Sequence, residues 1–389
     1  MKTSQRFHFI DNLRSIALLL GIIFHAALAY GPHFQNIWIS ADTTATHPFF
    51  DYLSLWLHLF RMPLFFFIAG FCSLLLIEKY GSKGFITHRL KRVLLPFLVF
   101  FPLAGAAYSH ALTWGASIVQ SVPPILTLFA QMEPVLSTMH LWFLWYLIQF
   151  CTVLWLLQKS NTQLKLLLNN IVHPVSLCLV IPLIIFVSLI DQPVPFPAPD
   201  KLTPTFWAYG FYGTLYLLGA GVYHRKDKIV NITRFSKAVT VIAIMSLVTY
   251  FMIIPEAPTL TMIKQAAASG QFSPSGSWHV LQSAIQTIAI ISWTALVLML
   301  GLRYLNQQSV QSRFISDASY WVYLVHVPVL IYIQMPLINL ECSAILKFII
   351  SVAVTFTLSL LSYYLLVRST WLGVFLNGKK QNTRIKAIK

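Results

Sequence analysis

Arg14 and His25 stand 11 residues apart in the apolar stretch Asp11-Asn-Leu-Arg14-Ser-Ile-Ala-Leu-Leu-Leu-Gly-Ile-Ile-Phe-His25. On a helix that interval returns to within about 20° of its starting direction, so the two side chains share a face. It also rises about 16 Å, which sets His25 roughly halfway through a ~30 Å hydrocarbon core when Arg14 sits at one surface. A guanidinium at the rim suits phosphate or carboxylate oxygens, and an imidazole at mid-depth suits proton transfer or nucleophilic attack.

Further polar chemistry at depth is sparse. All 11 acidic residues fall in loops or near the ends of apolar runs, which argues against a proton relay built from Asp or Glu. What remains is His25, then His58 and Arg61 on the second run, His326 on the ninth, and His140 near the outer end of the fourth. Placing an arginine at the depth of Arg61 costs about 2.5–3.5 kcal/mol on insertion scales, so it is expected to face the protein interior or a water-filled cavity. His58, three residues earlier, lies on nearly the same face. The competing reading of Arg61 is a structural cation bonded to carbonyls near Pro63. On the ninth run Ser319, Tyr323 and His326 form one stripe, with Pro328 predicted to kink the helix beyond them. Asp317 reads as a capping residue at the start of that helix. The plain alternative for His326 is a hydrogen bond across the bundle, and for His140 a place in an interfacial aromatic belt.

These residues need a membrane to hold them. A mean hydropathy of +0.71, 57% apolar residues and 10% charged ones exclude a soluble domain of this length. Ten apolar runs are long enough to span: 12–30, 52–77, 93–114, 138–158, 172–190, 206–223, 238–254, 279–302, 314–335 and 344–367. Lys and Arg concentrate in alternate connections. Lys79, Lys83, Arg89, Lys91 and Arg92 follow the second run, and Arg225, Lys226, Lys228, Arg234 and Lys237 the sixth, whereas the connections after the first, third and ninth runs have none. This predicts an all-α polytopic bundle of about ten transmembrane helices, both termini cytoplasmic, in a single domain over 1–389 with a basic tail at 368–389. The net charge of +16 is thereby accounted for without nucleic acid.

The N-terminal segment, with Met1-Lys2 to Arg6 before an apolar stretch and Ala27-Leu28-Ala29 after it, also fits a secretory signal. Asp11, Arg14 and His25 favour a retained anchor. Cys72, Cys151, Cys178 and Cys342 lie mostly in apolar runs without paired spacing, so neither a disulfide framework nor a metal site is expected. The outer loops 115–137, 191–205 and 255–277 are long and contain proline, as a roof over a cavity would. Trp38, Trp114, Trp207 and Trp278 sit at the outer boundary as an interfacial belt, with sugar stacking the lesser reading. Arg89-x-x-Arg92 at the inner mouth of the third run is explained by the positive-inside rule, and with Arg14 it also forms a cluster suited to phosphate oxygens.

Arg14-x10-His25, Arg89-x-x-Arg92 and the ten-run plan resemble acyltransferase family 3 of membrane O-acyltransferases. Phe9-Ile-Asp11-Asn-Leu-Arg14, Phe24-His25, Phe60-Arg61-Met62, His140-Leu-Trp-Phe-Leu and Tyr323-Leu-Val-His326-Val-Pro328 are similar to the branch that succinylates osmoregulated periplasmic glucans. The resemblance runs over most of the chain. It implies a bacterial inner-membrane enzyme that takes an acyl group from cytoplasmic acyl-CoA, succinyl-CoA in that branch, and transfers it to a hydroxyl of a periplasmic or surface glycan. His25 then acts as general base, or is itself transiently acylated. Arg14, Arg89 and Arg92 hold the donor, and Arg61 stabilises an oxyanion or binds a dicarboxylic acyl tail. His326 joins the catalytic group, while His58, His140, Ser319 and Tyr323 line the cavity or position the acceptor. No permanently bound cofactor is implied. The rivals are a transporter or flippase for an anion, against which the lack of paired broken spans counts, and a non-catalytic sensor, which has no use for the mid-depth imidazole.

Overall fold

The computed structural model describes residues 7–130, 136–269, 276–307 and 309–378. The tail from Lys379 onward, with its lysines and Arg384, lies outside the described residues. Secondary structure among those described is helical apart from one isolated antiparallel bridge between Ser137 and Lys201. In chain order the main helices are α1 His8–Leu28, α2 Phe49–Arg89, α3 Leu95–Ile118, α4 Trp142–Leu157, α5 Asn161–Ile171, α6 Ile181–Leu189, α7 Thr214–His224, α8 Ser236–Ile253, α9 Ser277–Tyr304, α10 Val310–Ile338, α11 Ala344–Ser362 and α12 Trp371–Asn377.

By length and apolar content 7 helical stretches can cross a membrane, and 8 if the pair Thr162–Ile171 and Ser176–Leu189, bent by 72°, counts as one. The difference from ten has local causes. One stretch, Phe49–Ile118, is 70 residues long and holds both the second and third apolar runs. Within it Gly81 takes φ 70° and ψ 174°, interrupting α2 at a conformation open to a residue without Cβ. The sixth run is helical from Phe206 but passes through the π turn Tyr209–Gly213 before α7. Each of the ten runs is helical over most of its length.

One expectation on the ninth run changes. Helix α10 starts at Val310, where Ser309 Oγ accepts from Ser312 N at 3.0 Å and Ser312 Oγ from Ser309 N at 2.9 Å. Asp317 therefore lies about two turns inside the helix and does not cap it. The helix also continues through Pro328 and Pro336 to Ile338.

The chain forms two compact units of interleaved segments. The first comprises Met1–Ala17, Leu55–Arg89 and Val135–Gln308. In it glycines let backbones meet: a Cβ on Gly70 would stand 1.7 Å from Tyr216 O, and one on Gly219 1.9 Å from Phe67 O. Close contact through small residues is how membrane helices gain packing energy without a hydrophobic drive between them. Asn12 Nδ2 donates to Leu305 O at 2.7 Å and Gln307 O at 2.9 Å, tying the start of α1 to the segment after α9. The proline-rich loop is drawn inward here. His58 Nε2 bonds Phe196 O at 2.8 Å, Gln286 Oε1 accepts from Phe196 N at 3.3 Å, and Phe196 is buried.

The second unit comprises Leu18–Ser54, Leu90–Pro134 and Ser309–Lys389. Helices α3 and α10 pack at Gly115, where a Cβ would stand 2.5 Å from Met335 Cγ. Asn339 caps that contact, donating to Ile118 O and accepting from Gln120 N, both at 2.8 Å. Helix α11 is fastened by Tyr30 OH to Ser351 Oγ at 2.9 Å and by Lys347 Nζ to Asp42 Oδ2 at 2.5 Å.

Candidate active site

His25 and His326 come together in the second unit. Their ring centroids are 5.4 Å apart with the planes inclined at 42°. Helix α1 presents His25 near its C-terminal end, and α10 presents His326 from its middle, buried to 1% exposure. His326 Nδ1 lies 2.8 Å from Tyr323 O and 3.2 Å from Val322 O. Carbonyls only accept, so Nδ1 carries the proton and, in the neutral ring, Nε2 carries the lone pair. The backbone of α10 thus selects one tautomer. Tyr323 stands beside it, ring centroids 6.2 Å apart. Ser319 lies further down the stripe and donates to Ser316 O at 3.0 Å on its own helix.

Trp38 completes this group. Its ring stacks on His25, centroids 5.3 Å apart and planes within 18°. It was expected in an interfacial belt, but the segment after α1 folds back and returns it to the histidine. Trp38 N donates to Phe34 O at 2.8 Å, closing a turn that follows the short 3-10 helix Pro32–Phe34. Further along, Asp42 N donates to Ala29 O at 2.9 Å and His47 N to Tyr30 O at 2.9 Å.

Two buried polar contacts fix that fold-back. Gln334, 1% exposed on α10, accepts from Ser40 Oγ at 2.6 Å and donates to Ala26 O at 3.2 Å. Asp42 Oδ2 meets Lys347 Nζ, with the side chains 1% and 0% exposed. Asp42 Oδ1 takes Thr44 N at 3.0 Å, Thr44 Oγ1 at 2.6 Å and Ala45 N at 3.1 Å, so the carboxylate is saturated with donors. Lys347 lies inside the tenth apolar run. A lysine one turn into an apolar run, with Asp42 and Asp51 in an outer connection to receive it, was the signal present in the sequence.

The inner arginines divide. Arg14 pairs with Asp11 at 3.8 Å, a partly exposed contact of little energetic weight. Arg89 Nη2 donates to Ser73 Oγ at 3.0 Å. The charges of Arg14 and Arg89 both act on half-buried Cys72 in the first unit. Arg92 is occupied elsewhere. In the second unit its Nη1 donates to Val374 O at 2.5 Å and to Phe375 O, neutralising the carbonyl end of α12.

Arg61 and His140 are both buried in the first unit, at 8% and 7% exposure. The charge of Arg61 reaches Tyr212 and His58, and His58 is held on the Phe196 backbone. His140 follows Met139, whose φ of 50° turns the chain into the 3-10 helix Met139–Leu141. Ser137 Oγ donates to Asp200 Oδ2 at 2.6 Å and Thr138 N to Asp200 O at 2.6 Å, so the approach to His140 is paired with the proline-rich loop.

This is a polytopic helical membrane protein whose buried basic side chains, among the described residues, are His140, His279, His326, Arg61 and Lys347, the last held by Asp42. Residues 7–364 match the acyltransferase domain of acyltransferase family 3; the chain belongs to that family and is a membrane O-acyltransferase. Curated relatives include glucans biosynthesis protein C of Salmonella paratyphi B (strain ATCC BAA-1250 / SPB7), Salmonella schwarzengrund (strain CVM19633) and Salmonella typhi. Each is 25% identical over 403 residues, covering 98% of this chain and 98% of its own. No solved structure matches. With the family established, the transporter and sensor readings lose their ground.

Proposed function

We propose that this acyltransferase moves a succinyl group from cytoplasmic succinyl-CoA to a hydroxyl of a glycan on the outer side of a bacterial inner membrane. Both termini lie in the cytoplasm on this reading. The observation that carries the chemistry is the His25–His326 pair, with one tautomer of His326 set by two backbone carbonyls. The full-length similarity to glucans biosynthesis protein C supports the acceptor class, and succinyl is the acyl group that the family resemblance implies.

In this mechanism His25 removes the proton from the acceptor hydroxyl as its oxygen attacks the thioester carbonyl carbon. The carbonyl π pair moves onto oxygen, giving a tetrahedral oxyanion. Its collapse breaks the C–S bond, and the departing thiolate takes the proton back from His25. His326 supports the neighbouring imidazole. Arg14 and Arg89, whose charges both act on Cys72, hold the phosphates of the donor, a role that suits guanidinium groups. Arg92, engaged on α12, steadies the inner end of the second unit, and Arg61 in its buried setting receives the distal carboxylate of the acyl group. His58 and His140 shape the cavity on the acceptor side.

The test is reconstitution of the purified protein in nanodiscs with a glucan oligosaccharide and either succinyl-CoA or acetyl-CoA. Thiol release coupled to gain of a succinyl mass on the glucan is the expected result. Gain of an acetyl mass alone would replace the donor, and thiol release without glycan modification would remove the acceptor from the reading.

A further inference from the structure

Beside His25 the second unit holds a polar atom that the fold itself leaves unsatisfied. Trp38 Nε1 is buried and has no hydrogen-bond partner among the described residues. Buried indole N–H groups ordinarily find an acceptor, and one left bare costs folding stability, so a bare one at a reaction centre calls for an acceptor brought by the ligand. Three residues earlier on the same turn, Gln35 Oε1 is likewise buried without a donor, although its Nε2 is used by Ala29 O at 3.2 Å and Gly31 O at 3.1 Å. The turn thus holds an unmet donor on the ring that stacks on His25 and, three residues before it, an unmet acceptor. A carbonyl oxygen and a hydroxyl are the complementary pair.

We infer that Trp38 Nε1–H donates to the carbonyl oxygen of the acyl group as that oxygen becomes the oxyanion of the tetrahedral intermediate. This rests on the reading of His25 as the base. Parallel stacking within 18°, centroids 5.3 Å apart, holds the indole against the imidazole, so a substrate reacting at His25 is bound beside the ring that carries the unmet N–H. As the hydroxyl oxygen bonds to the carbonyl carbon and its proton passes to His25, the π pair collects on the oxygen that faces Trp38. The indole bond strengthens with that charge and relaxes when the C–S bond breaks and C=O returns. A donor held in place before reaction and aimed at developing charge contributes to the rate without needing to reorganise.

The experiment replaces Trp38 with 3-benzothienylalanine, which keeps the bicyclic ring and its stack but has sulfur where the N–H was. Trp38→Phe provides a second variant of smaller area, should the first not accumulate. Each is reconstituted and assayed for kcat and for the KM of donor and acceptor, beside His25→Ala. A fall in kcat of about 10²–10³, with both KM values within about threefold of the parent, is expected for loss of one oxyanion donor. Unchanged kcat, or a raised acceptor KM at unchanged kcat, overturns the assignment. Activity retained by His25→Ala would instead overturn the underlying reading of the base, so the two failures are told apart.

Discussion

Lys347 Nζ and Asp42 Oδ2 lie 2.5 Å apart, 305 residues apart in sequence, with both side chains closed off from solvent. The pair fastens the segment that carries Trp38 and Ser40 to helix α11. Removing one partner strands a charge in a low-dielectric site, which costs about 3–5 kcal/mol. Lys347→Met or Asp42→Leu should therefore lower the unfolding free energy by about that amount, read by chemical or thermal unfolding in detergent micelles. The double variant should recover most of the loss, because an apolar pair of similar volume replaces an ion pair at little net cost. Single variants as stable as the parent would contradict the burial of this pair.

Arg89 and Arg92 differ in their contacts, Arg89 donating to Ser73 Oγ and Arg92 to the carbonyls of Val374 and Phe375. Arg89→Ala should raise the donor KM about 10- to 100-fold, the worth of one or two charge-assisted bonds, with little effect on folding. Arg92→Ala should leave the donor KM near the parent value and instead loosen α12, read as faster amide exchange over residues 371–378. Equal KM effects from the two substitutions would place both on the donor.

Gly70 and Gly219 are predicted to be intolerant of a single methyl. Gly70→Ala and Gly219→Ala put Cβ 1.7 Å and 1.9 Å from carbonyl oxygens, so α2 and α7 must separate. A loss of about 1–3 kcal/mol or more is expected from such overpacking. Gly213→Ala is the control: its Cβ would meet Phe150 at 3.5 Å, ordinary contact, and stability should hold.

Much of this was legible in the sequence, and for physical reasons. Hydrocarbon solvation demands long apolar runs, so the helices announce themselves, and the cost of an ionisable group at depth singles out His25, His58, Arg61 and His326 by type alone. The His25–His326 contact follows from two such groups needing company. Trp38 and Gln334 were not legible, because an outer loop returning to a mid-membrane histidine leaves no periodic trace. Asp42 looked like a loop residue and Lys347 did not stand out, because neither shows its partner in the sequence. The two arginines of Arg89-x-x-Arg92 share a composition signal that the positive-inside rule already explains. Only the structure tells that Arg89 engages Ser73 and Arg92 the end of α12. Each of the ten runs is helical, and 7 or 8 stretches are counted because Phe49–Ile118 joins two runs and π turns interrupt others, features of local backbone geometry to which hydropathy is blind.

The central claim is that His25 takes the proton from the acceptor hydroxyl. Its most direct test is kcat for succinyl-CoA-dependent glucan acylation by the reconstituted protein, compared between the parent and a folded His25→Gln variant. Loss of a positioned general base predicts a fall of about 10²–10⁴ in kcat with the donor KM nearly unchanged. A variant within about threefold of the parent rate would contradict the assignment of His25 as the base.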